Sequence, residues 1–277
     1  MSIQFAASRV SHLVTMLALA GSCLPLLSAP SVAAEVGKSF VDTFESFDRT
    51  RWYISHGWSN GAHQSCAWFN RNVKLLSSKE VMLSLTDETL ADHKYTCAEI
   101  QTVEKYGYGT YEVRMRPAKA SGTVSAFFTY VGASSDGKGQ DEIDIEFLGK
   151  DTRTVQLNYF VDGDGNHAKV EQLGFDASTR VESYAYEWLR DGIRWFINGK
   201  LVHEVKAEPG KPMPKRPGKI FISLWSGAGA ETENWLGPFK YSGTALTAVY
   251  DRIAFTAAGE PCQFEGSVVC GYEKKAP

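Results

Sequence analysis

Short runs in which apolar and polar residues alternate recur along most of the chain, at residues 81–85, 111–116, 124–130, 142–147, 154–161, 193–197, 200–205, 220–225 and 249–255. A period of two marks a strand with one buried face, and no stretch of comparable length carries the 3.6-residue period of a helix. Between "IRWFI" and "KLVHEV" stands Asn198-Gly199, a pair suited to a two-residue hairpin turn that needs positive φ. Many short strands joined by turns predict an all-β fold, a sandwich or a barrel of antiparallel sheets. There is no internal repeat and no interdomain linker.

The two ends depart from this pattern. Arg9, a mostly apolar run over residues 13–27 and then Ser-Val-Ala-Ala before Glu35 follow the order of a secretory signal, so residues 1–34 are expected to be a signal peptide cleaved after Ala33 or Ala34. The remainder has no other segment apolar enough to span a membrane, and a secreted product, extracellular or periplasmic, is expected. Residues 35–257 are expected to form the β domain and residues 258–277 a C-terminal tail. Cys66, Cys97, Cys262 and Cys270 remain after cleavage, an even number in a chain bound for an oxidising compartment. Four cysteines allow three pairings; the long gap between the first two and the last two favours local pairs, with Cys262 and Cys270 stapling the tail.

Composition and motifs exclude several function classes. A formal charge of −3 argues against a nucleic-acid partner. "GWSNG", residues 57–61, has the G-x-S-x-G spacing of serine hydrolases but lacks the helix that must follow the serine, and "DGDGN", residues 162–166, starts like a calcium loop but has His167 and Leu173 where Gly and Glu belong. Both read as turns. His56, His63, His93, His167 and His203 show no metal-ligand spacing, and no Gly-rich nucleotide motif follows a strand, so no cofactor is expected for catalysis. Seven Trp, twelve Tyr and fifteen Phe serve any β core, and they equally suit a surface on which sugar rings stack.

The most specific feature is "DEIDIEF", residues 141–147. In a strand, Glu142, Asp144 and Glu146 share one face and Ile143, Ile145 and Phe147 the other. A solvated face would mix signs, because like charges side by side are unfavourable. Glycoside hydrolysis gives a reason for the crowding: one carboxylate attacks or stabilises the anomeric carbon while a protonated acid donates to the leaving oxygen. Glu142 and Glu146 lie about 13 Å apart at Cα in a strand, a span that two inward-leaning Glu side chains largely close, which favours retention over inversion. Asp144 between them helps keep one Glu protonated.

With these residues in view, the chain resembles glycoside hydrolase family 16, concave β-jelly-roll endoglycanases with the signature E-[ILV]-D-[IVAF]-E. The stretches "YGYGTYEVRMRPAKASGTVSAFFTY" and "DEIDIEFLGKDTRTVQLNYFVDGDGNHAKVEQLGFDAS" resemble bacterial lichenases, endo-β-1,3-1,4-glucanases, and the likeness runs from about Phe40 to about Phe255. The resemblance implies a concave sandwich of two antiparallel sheets, with Glu142 as nucleophile, Asp144 assisting and Glu146 as general acid/base. It also implies glucan-binding roles for Asn60, Glu99, Phe128, Tyr130, Asn158, Tyr159, Trp225 and Trp235. A Cys66–Cys97 disulfide follows from it, as does a structural calcium site at Asp251, with backbone carbonyls supplied by the N-terminal segment and by the turn near Lys79, where lichenases usually have Gly.

Two positions depart from the lichenase pattern: Gln140 stands where Trp precedes the acidic run, and Gln101 stands where Arg follows the cleft Glu. The substrate is therefore open within the family, and the pattern is also similar to secreted endoglycanases that trim succinoglycan-type exopolysaccharide. The basic loop from Lys211 to Lys219 would favour such an anionic polymer if it lies near the cleft. The expected partner is a polysaccharide bound by a monomer. A transglycosylase or a non-catalytic lectin on the same fold are the alternatives, and a lectin would not need the acidic triplet.

Overall fold

The computed structural model describes residues 36–272, so the expected signal peptide lies outside the described residues. The strands, in chain order, are β1 (Phe40–Asp42), β2 (Trp52–Ile54), β3 (Cys66–Trp68), β4 (Val73–Leu75), β5 (Val81–Leu85), β6 (Tyr95–Thr102), β7 (Gly109–Arg116), β8 (Thr123–Val131), β9 (Asp141–Leu148) and β10 (Thr154–Phe160). They continue as β11 (Lys169–Gln172), β12 (Glu182–Leu189), β13 (Gly192–Ile197), β14 (Lys200–Lys206), β15 (Lys219–Ser226) and β16 (Leu246–Ala257), with short helices α1 (Ala230–Leu236) and α2 (Val268–Tyr272). Two eight-stranded sheets result. The back sheet runs β14-β13-β12-β7-β16-β5-β4 with β1 on β16; the cleft sheet runs β11-β10-β9-β8-β15-β6-β2 with β3 on β6. The ladders are antiparallel except the β3–β6 pair. This is the two-sheet all-β sandwich that the alternating runs predict.

Each predicted run lies on a strand, and Asn198 and Gly199 take φ of 50° and 75° at the β13–β14 hairpin. Two long strands, β6 and β12, escape a reading based on apolar alternation. In β6 the polar Thr96, Glu99 and Thr102 are buried, while in β12 the inward positions are Tyr184, Tyr186 and Trp188, whose polar tips blur the pattern. The short helix α1 also lies where no helical period is evident.

The core between the sheets fixes the cleft from beneath. Ile143, Ile145 and Phe147 point inward from β9, and burial of each stabilises by roughly 1.5–3 kcal/mol. Trp195 on the back sheet donates its indole N–H to the Asp144 carbonyl at 3.1 Å, and the Tyr250 hydroxyl reaches the Ala126 and Ser223 carbonyls at 3.1 and 3.2 Å. Hydrogen bonds thus cross the sandwich to the three strands that carry most of the cleft floor.

Cys66 and Cys97 form a disulfide joining β3 to β6, and Cys262 pairs with Cys270. The described part of the tail is docked rather than merely appended. Ser267 Oγ and the Val268 N–H donate to the two carboxyl oxygens of Glu112 at 2.5 and 2.7 Å, and the Arg252 guanidinium lies 4.9 Å from the Phe264 ring centre. A carboxylate buried on the back sheet needs donors, and the tail supplies them.

Candidate active site

The acidic face of β9 opens into a cavity of about 950 Å³ on the outer side of the cleft sheet. Strand register arranges its floor in rows. Glu142 lies between Phe160 and Tyr130; Asp144 lies between Asn158 and Phe128; Glu146 lies between Gln156 and Ala126. Ala126 in turn faces Ser223, which faces Glu99. Two small residues therefore separate Glu146 from Glu99, and the floor sinks there into a trough. Trp225 and Trp235, with ring centres 6.1 Å apart, wall one side of the cavity, and Phe128 stacks on Phe221 at 4.9 Å with planes 13° apart.

No Lys or Arg ion-pairs with any of these acids among the described residues. Burial raises the Glu142, Asp144 and Glu146 carboxyls together, and the neighbouring carboxylates push Asp144 further up. Ionising all three would cost several kcal/mol per uncompensated charge, so the cluster retains protons. Gln140 Nε2 donates to Glu142 Oε2 at 2.8 Å, and the Asp144 carboxyl hydrogen-bonds Glu142 as well. Glu146 receives one amide donor, Gln156 Nε2, at 2.7 Å. Burial outweighs these bonds, lifting Glu142 to about 8 and Glu146 to about 7, so both are poised to exchange a proton near neutral pH. Glu99, held by Ser55 Oγ at 2.6 Å, is pushed up to about 7 by burial.

Of the residues predicted to bind substrate, Asn60, Glu99, Phe128, Tyr130, Asn158, Trp225 and Trp235 line this cavity. Tyr159 does not. It faces the core, buried and stacked on His167 with ring centres 4.0 Å apart, because strand alternation turns it away from its neighbours Asn158 and Phe160. Phe160 takes the cleft-facing place. Sequence reasoning also missed Gln156 and Phe221, although each is two residues from a predicted cleft residue or in strand register with one. The "GWSNG" loop is a cleft wall, bringing Trp58 and Asn60 to the cavity.

At Asp251, where a structural calcium is expected, Oδ1 lies 3.0 Å from Arg114 Nε without a hydrogen bond between them. Lys79, in the left-handed region at φ 61°, ion-pairs with Glu45 at 2.8 Å.

A β-sandwich that buries a shared-proton carboxyl cluster in an aromatic trough defines a class, the hydrolases that cleave glycosidic bonds through a pair of acids. Comparison with known proteins gives the family. The model described as "Glycosyl hydrolases family 16" matches residues 60–243, and the chain belongs to that family. It is 43% identical to a beta-glucanase of Bacillus subtilis (strain 168) over 245 residues, 88% of this chain and 97% of the relative. It is 42% identical to the endo-1,3-1,4-beta-glycanase ExoK of Rhizobium meliloti (strain 1021) over 238 residues, 86% of each chain. The Bacillus licheniformis beta-glucanase structure superposes with a TM-score of 0.73 at 43% identity, covering 80% of this chain and 99% of that one. The protein is a glycoside hydrolase.

Proposed function

We propose that the protein is a secreted, retaining endo-β-glycanase that cleaves internal bonds of β-1,3-1,4-linked glucans, with exopolysaccharide of the succinoglycan type as its preferred polymer. The observation that supports it most is a pair of Glu side chains four residues apart on one face of β9, without a cation among the described residues and both lifted by desolvation so that they exchange protons near neutral pH. Glu142, with two donors, attacks the anomeric carbon; Glu146 gives its proton to the leaving oxygen; a covalent glycosyl-enzyme forms. Glu146, now ionised, takes a proton from water, whose oxygen displaces Glu142 and regenerates both groups. Asp144 assists by hydrogen-bonding Glu142. Asn60, Glu99, Phe128, Tyr130, Asn158, Trp225 and Trp235 bind the glucan chain along the cleft.

The basic loop is tied to the opposite face of β9, its Lys215 and Arg216 N–H groups donating to Asp141 Oδ2 at 2.9 and 3.1 Å, with Arg216 and Lys211 ion-paired to Asp141 and Glu208. One feature favours an anionic polymer. Lys219 stands in register with Tyr130 on the cleft sheet and donates to Gln101 Oε1 at 2.9 Å, leaving a positive charge without an ion-pair partner among the described residues. Secretion rests on residues 1–34 acting as a cleaved signal, which leaves residues 35–257 as the catalytic domain and 258–277 as its tail. The enzyme acts as a monomer without a metal in catalysis.

The test is a side-by-side assay on lichenan, laminarin, xyloglucan, agarose, carrageenan and succinoglycan, with products sized and linkages assigned. Internal cleavage is expected on lichenan, with a higher kcat/KM on succinoglycan that falls as salt rises. Inertness on both, with activity on a galactan or xyloglucan, would refute the substrate reading.

A further inference from the structure

The Glu146 carboxyl touches one hydrogen-bond donor, and that donor is itself held. Gln156 Nε2 gives its proton to Glu146 Oε2 at 2.7 Å, while Gln156 Oε1 accepts from the Trp235 indole Nε1–H at 3.1 Å. An indole nitrogen can donate and cannot accept, so a Gln amide bonded to it must present its oxygen there and its NH2 at the other end. Gln156 is buried, Trp235 is half-buried in α1, and Lys150 Nζ donates to the Trp235 carbonyl. The amide is therefore locked in one of its two orientations. On the other side of Glu146 stands Ala126, which offers no side-chain donor.

We propose that Trp235 acts on the reaction through Gln156, locking its amide so that Glu146 Oε2 always receives an N–H and the catalytic proton is carried on Oε1. The inference rests on the acid/base reading of Glu146 given above. Trp235 and Gln156 are then positioning residues. With the indole donor in place, a proton on Oε2 would meet the Gln156 N–H head on, so it resides on Oε1, and the N–H also stabilises the carboxylate left after proton transfer. Without that donor the amide can turn over. Its carbonyl would then accept from a protonated Oε2, holding the proton on that oxygen and away from Oε1. The same change favours the neutral acid and moves the basic limb of the rate profile upward.

The groups that could produce such a shift are few. Glu142 and Asp144 share the strand with Glu146, and Glu99 faces the same trough across Ala126 and Ser223. Glu99→Gln is therefore run as a control that should leave the shift in Trp235→Phe in place. The β8 and β10 residues opposite Glu146, Ala126 and Gln156, are uncharged. On α1, Glu231 and Glu233 are exposed, Lys150 is spent on the Trp235 carbonyl, and His63 lies against Trp225 at 5.8 Å.

The experiment is Trp235→Phe, which keeps a ring in the cleft and removes only the N–H and the indole bulk. Expected are a roughly tenfold loss of kcat on lichenan with KM within about twofold, a smaller loss on an aryl glycoside with an activated leaving group, and an upward shift of the basic limb of the kcat profile. Gln156→Leu should shift the limb likewise, and the double variant should do no more than Gln156→Leu alone. A raised KM with unchanged kcat and pH profile would make Trp235 a sugar platform only and overturn the proposal, as would additive effects in the double variant. Should Trp235→Phe fold poorly by melting temperature, Gln156→Leu carries the pH and leaving-group tests by itself, and an unshifted limb there overturns the proposal. Failure of the underlying reading looks different: Glu146→Ala would then lose equal activity on the aryl glycoside and the polymer.

Discussion

On the outer face of the back sheet, Glu187 meets the Arg194 guanidinium at 3.3 Å, the same guanidinium meets Glu204 at 2.9 Å, Asp251 meets Arg114 at 3.0 Å, and Glu112 is capped by Ser267 and Val268. On the outer face of the cleft sheet, the polar partners of Glu142, Asp144, Glu146 and Glu99 among the described residues are amides, a hydroxyl and one another. Both sheets bury acids. One supplies cations or paired donors that oppose the upward push of burial; the other has no cation at its acids among the described residues, and Glu142 at about 8 and Glu146 and Glu99 at about 7 keep protons in the cleft near neutral pH. The difference separates an acid that holds the fold together from an acid held in readiness by the fold, and an acidic side chain alone distinguishes neither.

The largest effect expected from this contrast is on activity. Glu142→Gln should lower kcat on lichenan by on the order of 10⁴-fold or more, since a nucleophile is lost outright. Its melting temperature should stay level or rise, because a neutral amide replaces a carboxyl that the cleft does not compensate. Calorimetry and initial rates on the same preparation measure both; a marked fall in melting temperature would place Glu142 with the structural acids. Arg194→Leu should do the reverse. Leaving Glu187 and Glu204 without their guanidinium is expected to cost roughly 2 kcal/mol and lower the melting temperature by about 4–8 °C, with kcat/KM at 25 °C changed less than about twofold.

The pH dependence of stability sharpens the contrast further. Burial lifts Glu99 from its ordinary 4.5 to about 7, so between those values the folded protein holds a proton that the unfolded chain has released. The folded state then binds more protons than the unfolded one, and stability falls as pH rises through that window. Its contribution is fully present below 4.5 and lost above about 7. Glu142, Asp144 and Glu146 are raised as well and contribute with the same sign. Denaturant melts from pH 5 to 8 should show declining stability, and Glu99→Gln should flatten part of the decline; an unchanged slope would mean that Glu99 is ionised throughout.

How much of this was legible beforehand follows from what alternation can and cannot encode. A period of two put Glu142, Asp144 and Glu146 on one face and the Asn198-Gly199 turn in its hairpin, because both depend on local geometry alone. The same rule, applied strictly, separates Tyr159 from Asn158, so the resemblance erred there where the period would have been right. Gln156 carried no signal of its own: its part depends on Trp235, which is 79 residues away in the chain and reaches it only through α1. Arg114 at Asp251 was hidden for a similar reason, since the two meet across the β7–β16 ladder at a register shift. Local periodicity gave the acidic row and the resemblance gave most of the remaining cleft floor, while long-range register set the partners of each side chain there.

Two acids on one face of β9 divide the chemistry, with Glu142 as nucleophile and Glu146 as proton carrier. Adding azide to Glu142→Ala and to Glu146→Ala, with an activated β-glycoside donor, tests both halves in one measurement. Expected are an α-glycosyl azide from Glu142→Ala, formed by direct attack at the vacated nucleophile position, and a β-glycosyl azide from Glu146→Ala, formed by displacing Glu142 from the covalent intermediate. A β-azide from Glu142→Ala, or an α-azide from Glu146→Ala, read from the anomeric coupling constant by NMR, would contradict this division.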